Sequence, residues 1–174
     1  MARHQAASSM TKPLYTAEQK RLRDESVWTL VQGVLAPVQF LVFLVSLVLV
    51  VRFLTTGEGQ AAATISIIIK TLTLYTIMIT GAIWEKVVFG VYLFAEGFYW
   101  EDMVSMLVLA LHTAYLAALA FEWLDDRSLM LLALSAYAAY VVNAAQFILK
   151  LRAARLQGAA DALNGPGAAM DGAR

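Results

Sequence analysis

Long apolar runs broken by short polar turns set the layout of this chain. From Val27 to Val51 there is no Asp, Glu, Lys or Arg, a run of about 25 residues where ~20 suffice to cross a hydrocarbon core. TTGEGQ at 55–60 reads as a turn. A second run, about 61–84, carries a single charge, Lys70. A third covers 101–121 and a fourth 128–150, with the acidic turn EWLDDR (122–127) between them. Ahead of the first run, TAEQKRLRDES (16–26) has helical composition, and Thr16 with Gln19 has the spacing of a capping box. The pattern predicts an all-α, integral membrane four-helix bundle. Its spans are about 27–54, 61–84, 101–121 and 128–150, in a domain covering 16–156, with residues 1–15 and 157–174 as disordered tails. The first apolar run is too long for a signal-peptide core and lacks a cleavage site, so it is expected to stay in the mature protein.

The connector WEKVVFGVYLFAEGFYW (84–100) is dense in aromatics and holds Gly90 and Gly97, which suits a short segment at the membrane–water interface. Composition points the same way. Hydrophobic residues are 60% of the chain, above the ~45–50% of soluble domains, and a core this small cannot hide them from water. Net charge is zero, so nothing suggests a nucleic-acid partner, and the absence of cysteine excludes disulfides and thiolate chemistry. Lys12, Lys20, Arg21 and Arg23 flank the first span, and Lys150, Arg152 and Arg155 follow the last; the opposite connectors hold only Arg52 and Arg127. The positive-inside rule therefore puts both termini, and the 84–100 connector, on the cytoplasmic side.

Polar residues inside a bilayer are functional hypotheses by default. Gln32 and Gln39 lie on one face of the first span, with Pro37 between them as a kink point. Glu85 and Lys86 close the second span, and Glu101 and Asp102 open the third. Glu101, Ser105 and His112 form one stripe, which sets His112 roughly 16 Å from Glu101. Asn143, Gln146 and Lys150 share a stripe on the fourth span. These groups converge on the cytoplasmic half. Lys70 does not: it either snorkels outward or pairs internally. Each has a plain structural reading too. The amides are often interhelical glue, Glu85 and Lys86 mark a boundary, Glu101 and Asp102 suit a helix N-terminus, and a lone buried histidine is often a satisfied core residue. With His4 and His112 as the only histidines, no His-Glu-x-x-His or paired Glu-x-x-His metal site can form. Carboxylates and one histidine in a partly apolar cavity suit proton transfer.

Three strings carry a family resemblance: WTLVQGVLAPVQFLVF (28–43), TGAIWEKVVFGVYLFAEGFYWEDMVSMLVLALHTAYLAAL (80–119) and YVVNAAQFILKLRAAR (140–155). They resemble the 2-vinyl bacteriochlorophyllide hydratases, also called chlorophyllide a 3¹-hydratases, over about residues 14–156. The WEK…WED connector is the most distinctive element.

The resemblance implies a hydro-lyase of bacteriochlorophyll biosynthesis, in a bacterial inner or intracytoplasmic membrane. It would add water to the C3 vinyl group of chlorophyllide a, or a related precursor, giving 3-(1-hydroxyethyl)-chlorophyllide a. A hydration needs no redox cofactor, and the magnesium belongs to the substrate. Chemistry then suggests the roles. An acid protonates the terminal vinyl carbon, the macrocycle spreads the cation, and a base helps water attack. Glu101 or Glu85, whichever is more buried, is the expected acid. Asp102 or the other Glu positions water. His112 is a second proton-transfer group or an axial ligand to the substrate magnesium. Gln32, Gln39, Trp84, Lys86, Trp100, Asn143 and Gln146 are the expected substrate-binding residues, with Lys86, Lys150 or Arg152 meeting the propionate. Neighbouring biosynthetic enzymes or a homo-oligomer are left open as partners. The rival reading is a non-catalytic membrane pigment carrier or assembly factor for tetrapyrroles, which needs no acid–base pair.

Overall fold

The computed structural model describes residues 14–164, all of whose regular elements are helical. Of the expected tails, 1–15 and 157–174, residues 1–13 and 165–174 lie outside the described residues, while 157–164 are helical. The elements are α1 (Ala17–Glu25), α2 (Val27–Thr56), α3 (Gln60–Phe89), α4 (Tyr99–Ala120) and α5 (Asp126–Asn164). The last four are long and apolar enough to cross a membrane.

Helix α1 begins as its sequence directs. Gln19 N–H donates to Thr16 Oγ1 at 3.2 Å, and Thr16 N–H donates to Gln19 Oε1 at 2.9 Å, so two otherwise unpaired amides are satisfied. Leu14 and Tyr15, assigned to the tail by sequence, pack on the bundle instead: Tyr15 stacks on Phe89 with centroids 5.7 Å apart. Ser26 caps α2 by accepting from Trp28 N–H. Pro37 sits inside α2.

Two boundaries differ from expectation. Helix α3 runs on through WEKVVF and stops at Gly90, whose φ of +83° is a conformation that costs glycine nothing. Helix α4 already starts at Tyr99, so the connector shrinks to residues 90–98. Helix α5 overruns the expected end at 150 and continues to Asn164. The added stretch is rich in Ala, Leu, Arg and Gln, all good helix formers, and meets no proline before Pro166.

The bundle is two antiparallel hairpins, α2 with α3 and α4 with α5, laid against each other. Within each helix the faces are inverted relative to a water-soluble bundle. On α2, Val27, Leu30, Val34, Val38, Leu41, Val45 and Val48 form an exposed stripe, while Gln39, Phe43, Ser46 and Val50 turn inward and are buried. On α4 the inward stripe is Glu101, Ser105, Val108, His112 and Tyr115. An exposed apolar stripe around a partly polar interior is stable where the surrounding solvent is lipid.

Candidate functional site

Where α3 ends and α4 begins, two carboxylates from different helices meet on one strand of backbone. Glu85 Oε2 accepts from Ala95 N–H at 3.3 Å, and Asp102 Oδ2 accepts from Phe94 N–H at 2.7 Å. Consecutive amides of the connector thus hold the two carboxyls side by side. Both residues are buried, at 5% and 3% exposure, and no cation pairs with Glu85 among the described residues. Phe94 holds φ at +62°, a left-handed conformation that a bulky residue adopts only when its surroundings impose it. The Asp102 hydrogen bond supplies that constraint. Strained backbone beside a buried acid pair is the kind of outlier that points to function.

Glu101 is as buried as its neighbour, at 6%, but is used differently. Its carboxylate pairs with Lys150 of α5, which also donates to the Gly97 carbonyl and lies over the Phe98 ring at 5.2 Å. Lys150 thus ties the connector and α4 to α5. Burial therefore does not choose between Glu85 and Glu101; the partner does. Glu101 is held by an ammonium, while Glu85 faces another carboxyl.

A cleft of about 570 Å³ opens on the other side of the same backbone, lined by Leu14, Thr16, Gln19, Phe89, Val91, Phe94, Ala95, Glu96 and Gly97. Phe94 and Ala95 thus line the cleft while their amides hold the two carboxylates. Aromatic rings back it: Trp84 and Phe98 meet edge to face at 5.7 Å, as do Phe89 and Phe98.

Deeper, between the hairpins, lies a buried polar seam. Asn143 Nδ2 donates to Ser105 Oγ at 2.8 Å. Ser46 Oγ shares hydrogen bonds with Tyr137 Oη at 2.5 Å and Ser66 Oγ at 2.7 Å. His112, 1% exposed, has Nδ1 on the Val108 carbonyl at 2.8 Å, the arrangement of an Nδ1–H donor, which leaves Nε2 with a free lone pair. Among the described residues its Nε2 has no hydrogen-bond partner, nor has either side-chain polar atom of Gln39, Nζ of Lys70, Oδ1 of Asn143 or Oε1 of Gln146. Buried polar atoms are nearly always paired, which makes these atoms unusual among the described residues. Among the described residues, no group of three or more His, Asp or Glu side chains is set to hold a metal ion.

The other expected binding residues have occupations of their own. Gln32 Nε2 donates to Thr80 Oγ1 at 2.7 Å, and Trp84 Nε1 donates to Thr29 Oγ1 at 2.9 Å. Lys86 donates to the Gly90 carbonyl at 2.6 Å and closes the end of α3. Trp100 is 70% exposed and points away from the seam. Lys70 is what sequence reasoning left undecided. It is wholly buried, with Nζ 4.0 Å from the Tyr140 ring centroid. Its isolation in an apolar run was visible in the sequence, but its neighbours come from a helix about seventy residues away.

The model of the 2-vinyl bacteriochlorophyllide hydratase family matches residues 15–153. A 2-vinyl bacteriochlorophyllide hydratase of Rhodobacter capsulatus is 67% identical over 150 residues, spanning 86% of this chain and 87% of the relative. One of Cereibacter sphaeroides is 65% identical over 143 residues, 82% of this chain and 89% of the relative. No solved structure matches. The matched stretch contains the connector, the acid pair and the polar seam.

Proposed function

The chain belongs to the 2-vinyl bacteriochlorophyllide hydratase family, and from that premise we propose how its residues add water to the vinyl group of a bacteriochlorophyll precursor. It is a hydratase, and chlorophyllide a is the substrate we assign, with the 3-(1-hydroxyethyl) compound as product. The observation that carries the reading is the meeting of Glu85 and Asp102 on consecutive amides of the connector.

Two buried carboxyls held side by side repel each other when both are ionised, so we assign the pair one proton, and it enters the reaction as one acid and one base. The acid gives its proton to the terminal vinyl carbon. The carbon next to the ring becomes a cation, spread over the macrocycle and stabilised by two nearby carboxylates. Water attacks that carbon while a carboxylate takes the proton it sheds. The pair ends with one proton, as it began, and the substrate has gained one water. No redox cofactor enters, and the magnesium travels with the substrate. The macrocycle lies in the seam between the hairpins, against Gln39, Asn143 and Gln146, and the cleft under Phe94 and Ala95 is the route in. Gln32, Trp84, Lys86 and Trp100 support the walls and rim of that site. The Lys and Arg distribution puts the acid pair and both termini on the cytoplasmic side of a bacterial membrane.

The direct test is expression in a heterologous membrane, addition of chlorophyllide a, and mass analysis of the extracted pigment. The expected product is heavier by one water, with its red band moved to shorter wavelength as the conjugated vinyl is lost. Pigment that co-purifies unchanged would make the chain a carrier.

His112 presents its Nε2 lone pair to the seam, where it can meet the magnesium of the substrate. His112→Ala is expected to weaken pigment binding and shift the absorption of what remains bound. An unchanged spectrum removes the axial-ligand role.

A further inference from the structure

Lys70 is the feature of this molecule that the acid–base chemistry leaves unexplained. Its side chain is wholly buried, Nζ has no hydrogen-bond partner among the described residues, and it lies over the π-face of Tyr140. An ammonium in that position is costly without an acceptor. All four long helices contribute around it: Lys70 of α3 lies over Tyr140 of α5, Phe43 of α2 packs on Tyr140 at 5.0 Å and on Tyr137 at 5.4 Å, and His112 of α4 lies 5.9 Å from Tyr137. Gln39, 2% exposed and with both amide atoms open, lies one turn from Phe43 on the same face of α2. The other cations at hand are committed, Lys86 to the Gly90 carbonyl and Lys150 to Glu101 and Gly97.

We propose that Lys70 binds an oxygen acceptor on the edge of the macrocycle opposite the reacting vinyl, and so sets which edge of the substrate faces the acid pair. The proposal rests on the hydratase reading above. Counted along α4 from Asp102 to His112 the separation is roughly 15 Å, and along α3 from Glu85 to Lys70 roughly 22 Å. A tetrapyrrole contacted at opposite edges fills such a span. Two oxygen functions on the precursor lie away from the vinyl, the ring ketone and the propionate carboxylate. Both accept from an ammonium, and Gln39 Nε2 is a second donor of the same kind. Anchoring at the far edge also explains a specificity the acid pair cannot provide. A flat, nearly symmetric ring could present several edges to Glu85 and Asp102, but only one orientation puts an acceptor on Lys70.

The test uses the full chain in detergent or nanodiscs, titrated with chlorophyllide a, its propionate methyl ester, and a derivative with the ring ketone reduced fully to methylene, which has no oxygen acceptor there. Lys70→Met keeps the length of the side chain and removes the charge. It is expected to raise the unfolding temperature, because a buried ammonium is gone, while weakening pigment binding on the order of ten- to a hundredfold. If the carboxylate is the acceptor, the loss is large for the free acid and small for the ester. If the ketone is, acid and ester lose equally and the reduced derivative binds Lys70→Met and wild type alike. Lys70→Arg keeps the charge and recovers part of the affinity in either case. Lys70→Met that binds all three pigments like wild type overturns the proposal. So does a variant that loses stability and binding together while Lys70→Arg fails to recover either, which would make Lys70 a packing residue. A wild-type chain that hydrates no pigment fails the functional reading itself, a result separable from both.

Discussion

Glu85→Gln and Asp102→Asn should each lower turnover by roughly 10²–10⁴-fold, the usual range for loss of a positioned acid or base. Each amide keeps a carbonyl oxygen where the carboxylate had one, so the Ala95 and Phe94 N–H groups retain their acceptors. The connector should stay folded and pigment affinity should change little. The loss should therefore fall on kcat, which separates chemistry from binding. Because the two groups act as one proton-holding pair, the double variant should be scarcely worse than either single one. Rates per folded protein in membranes, with pigment binding measured alongside, decide the matter. A variant that keeps more than a tenth of wild-type turnover would remove that residue from the acid–base pair. Glu101→Gln serves as the contrast, since its carboxylate faces Lys150 and its loss should register first in stability.

The second large effect is expected at Lys150. Its ammonium joins the Glu101 carboxylate and the Gly97 carbonyl, and its side chain is 26% exposed against 9% for that of Glu101. Breaking a fully buried pair costs about 3–5 kcal/mol, because the abandoned charge has nowhere to go. Partial exposure of the lysine screens this pair, so Lys150→Met should cost about 2–3 kcal/mol. Adding Glu101→Gln removes the stranded carboxylate and should recover much of the loss. Reversible unfolding of the two single variants and the double variant measures the coupling directly. If Lys150→Met unfolds like wild type, the clamp contributes nothing and the connector is held by its aromatics and by its amide hydrogen bonds to Glu85 and Asp102.

Helix number and type were readable in advance because bilayer spans write themselves as uninterrupted apolar runs. The capping box at Thr16 and Gln19 was equally plain, since it depends on residues three apart. Boundaries were less so. Trp84, Phe89 and the residues between them look like an interfacial loop by their aromatic content, yet they continue α3 until Gly90 provides a residue at ease with positive φ. The acid pair was half legible: Glu85, Glu101 and Asp102 were all named as candidates. Which two would meet depended on where the connector folds its amides and on Lys150 arriving from α5, contacts between distant parts of the chain. Lys70 was seen as an anomaly but not as a site, because Tyr140 is set beside it only by the packing of the hairpins.

That hairpin organisation also bears on how the molecule is made. Each pair of antiparallel helices is joined by a short link, so each can enter the bilayer as a unit while the ribosome is still at work, with contacts local in sequence. The seam is the last thing to close. Until α4 and α5 dock, Lys70 and Gln39 lack the four-helix enclosure that surrounds them in the finished protein, and the newborn half-bundle carries exposed polar groups in hydrocarbon. Quality control that recognises such groups would therefore act in the interval between the two insertions, and pigment arriving early would shorten it by giving the two halves something to close around.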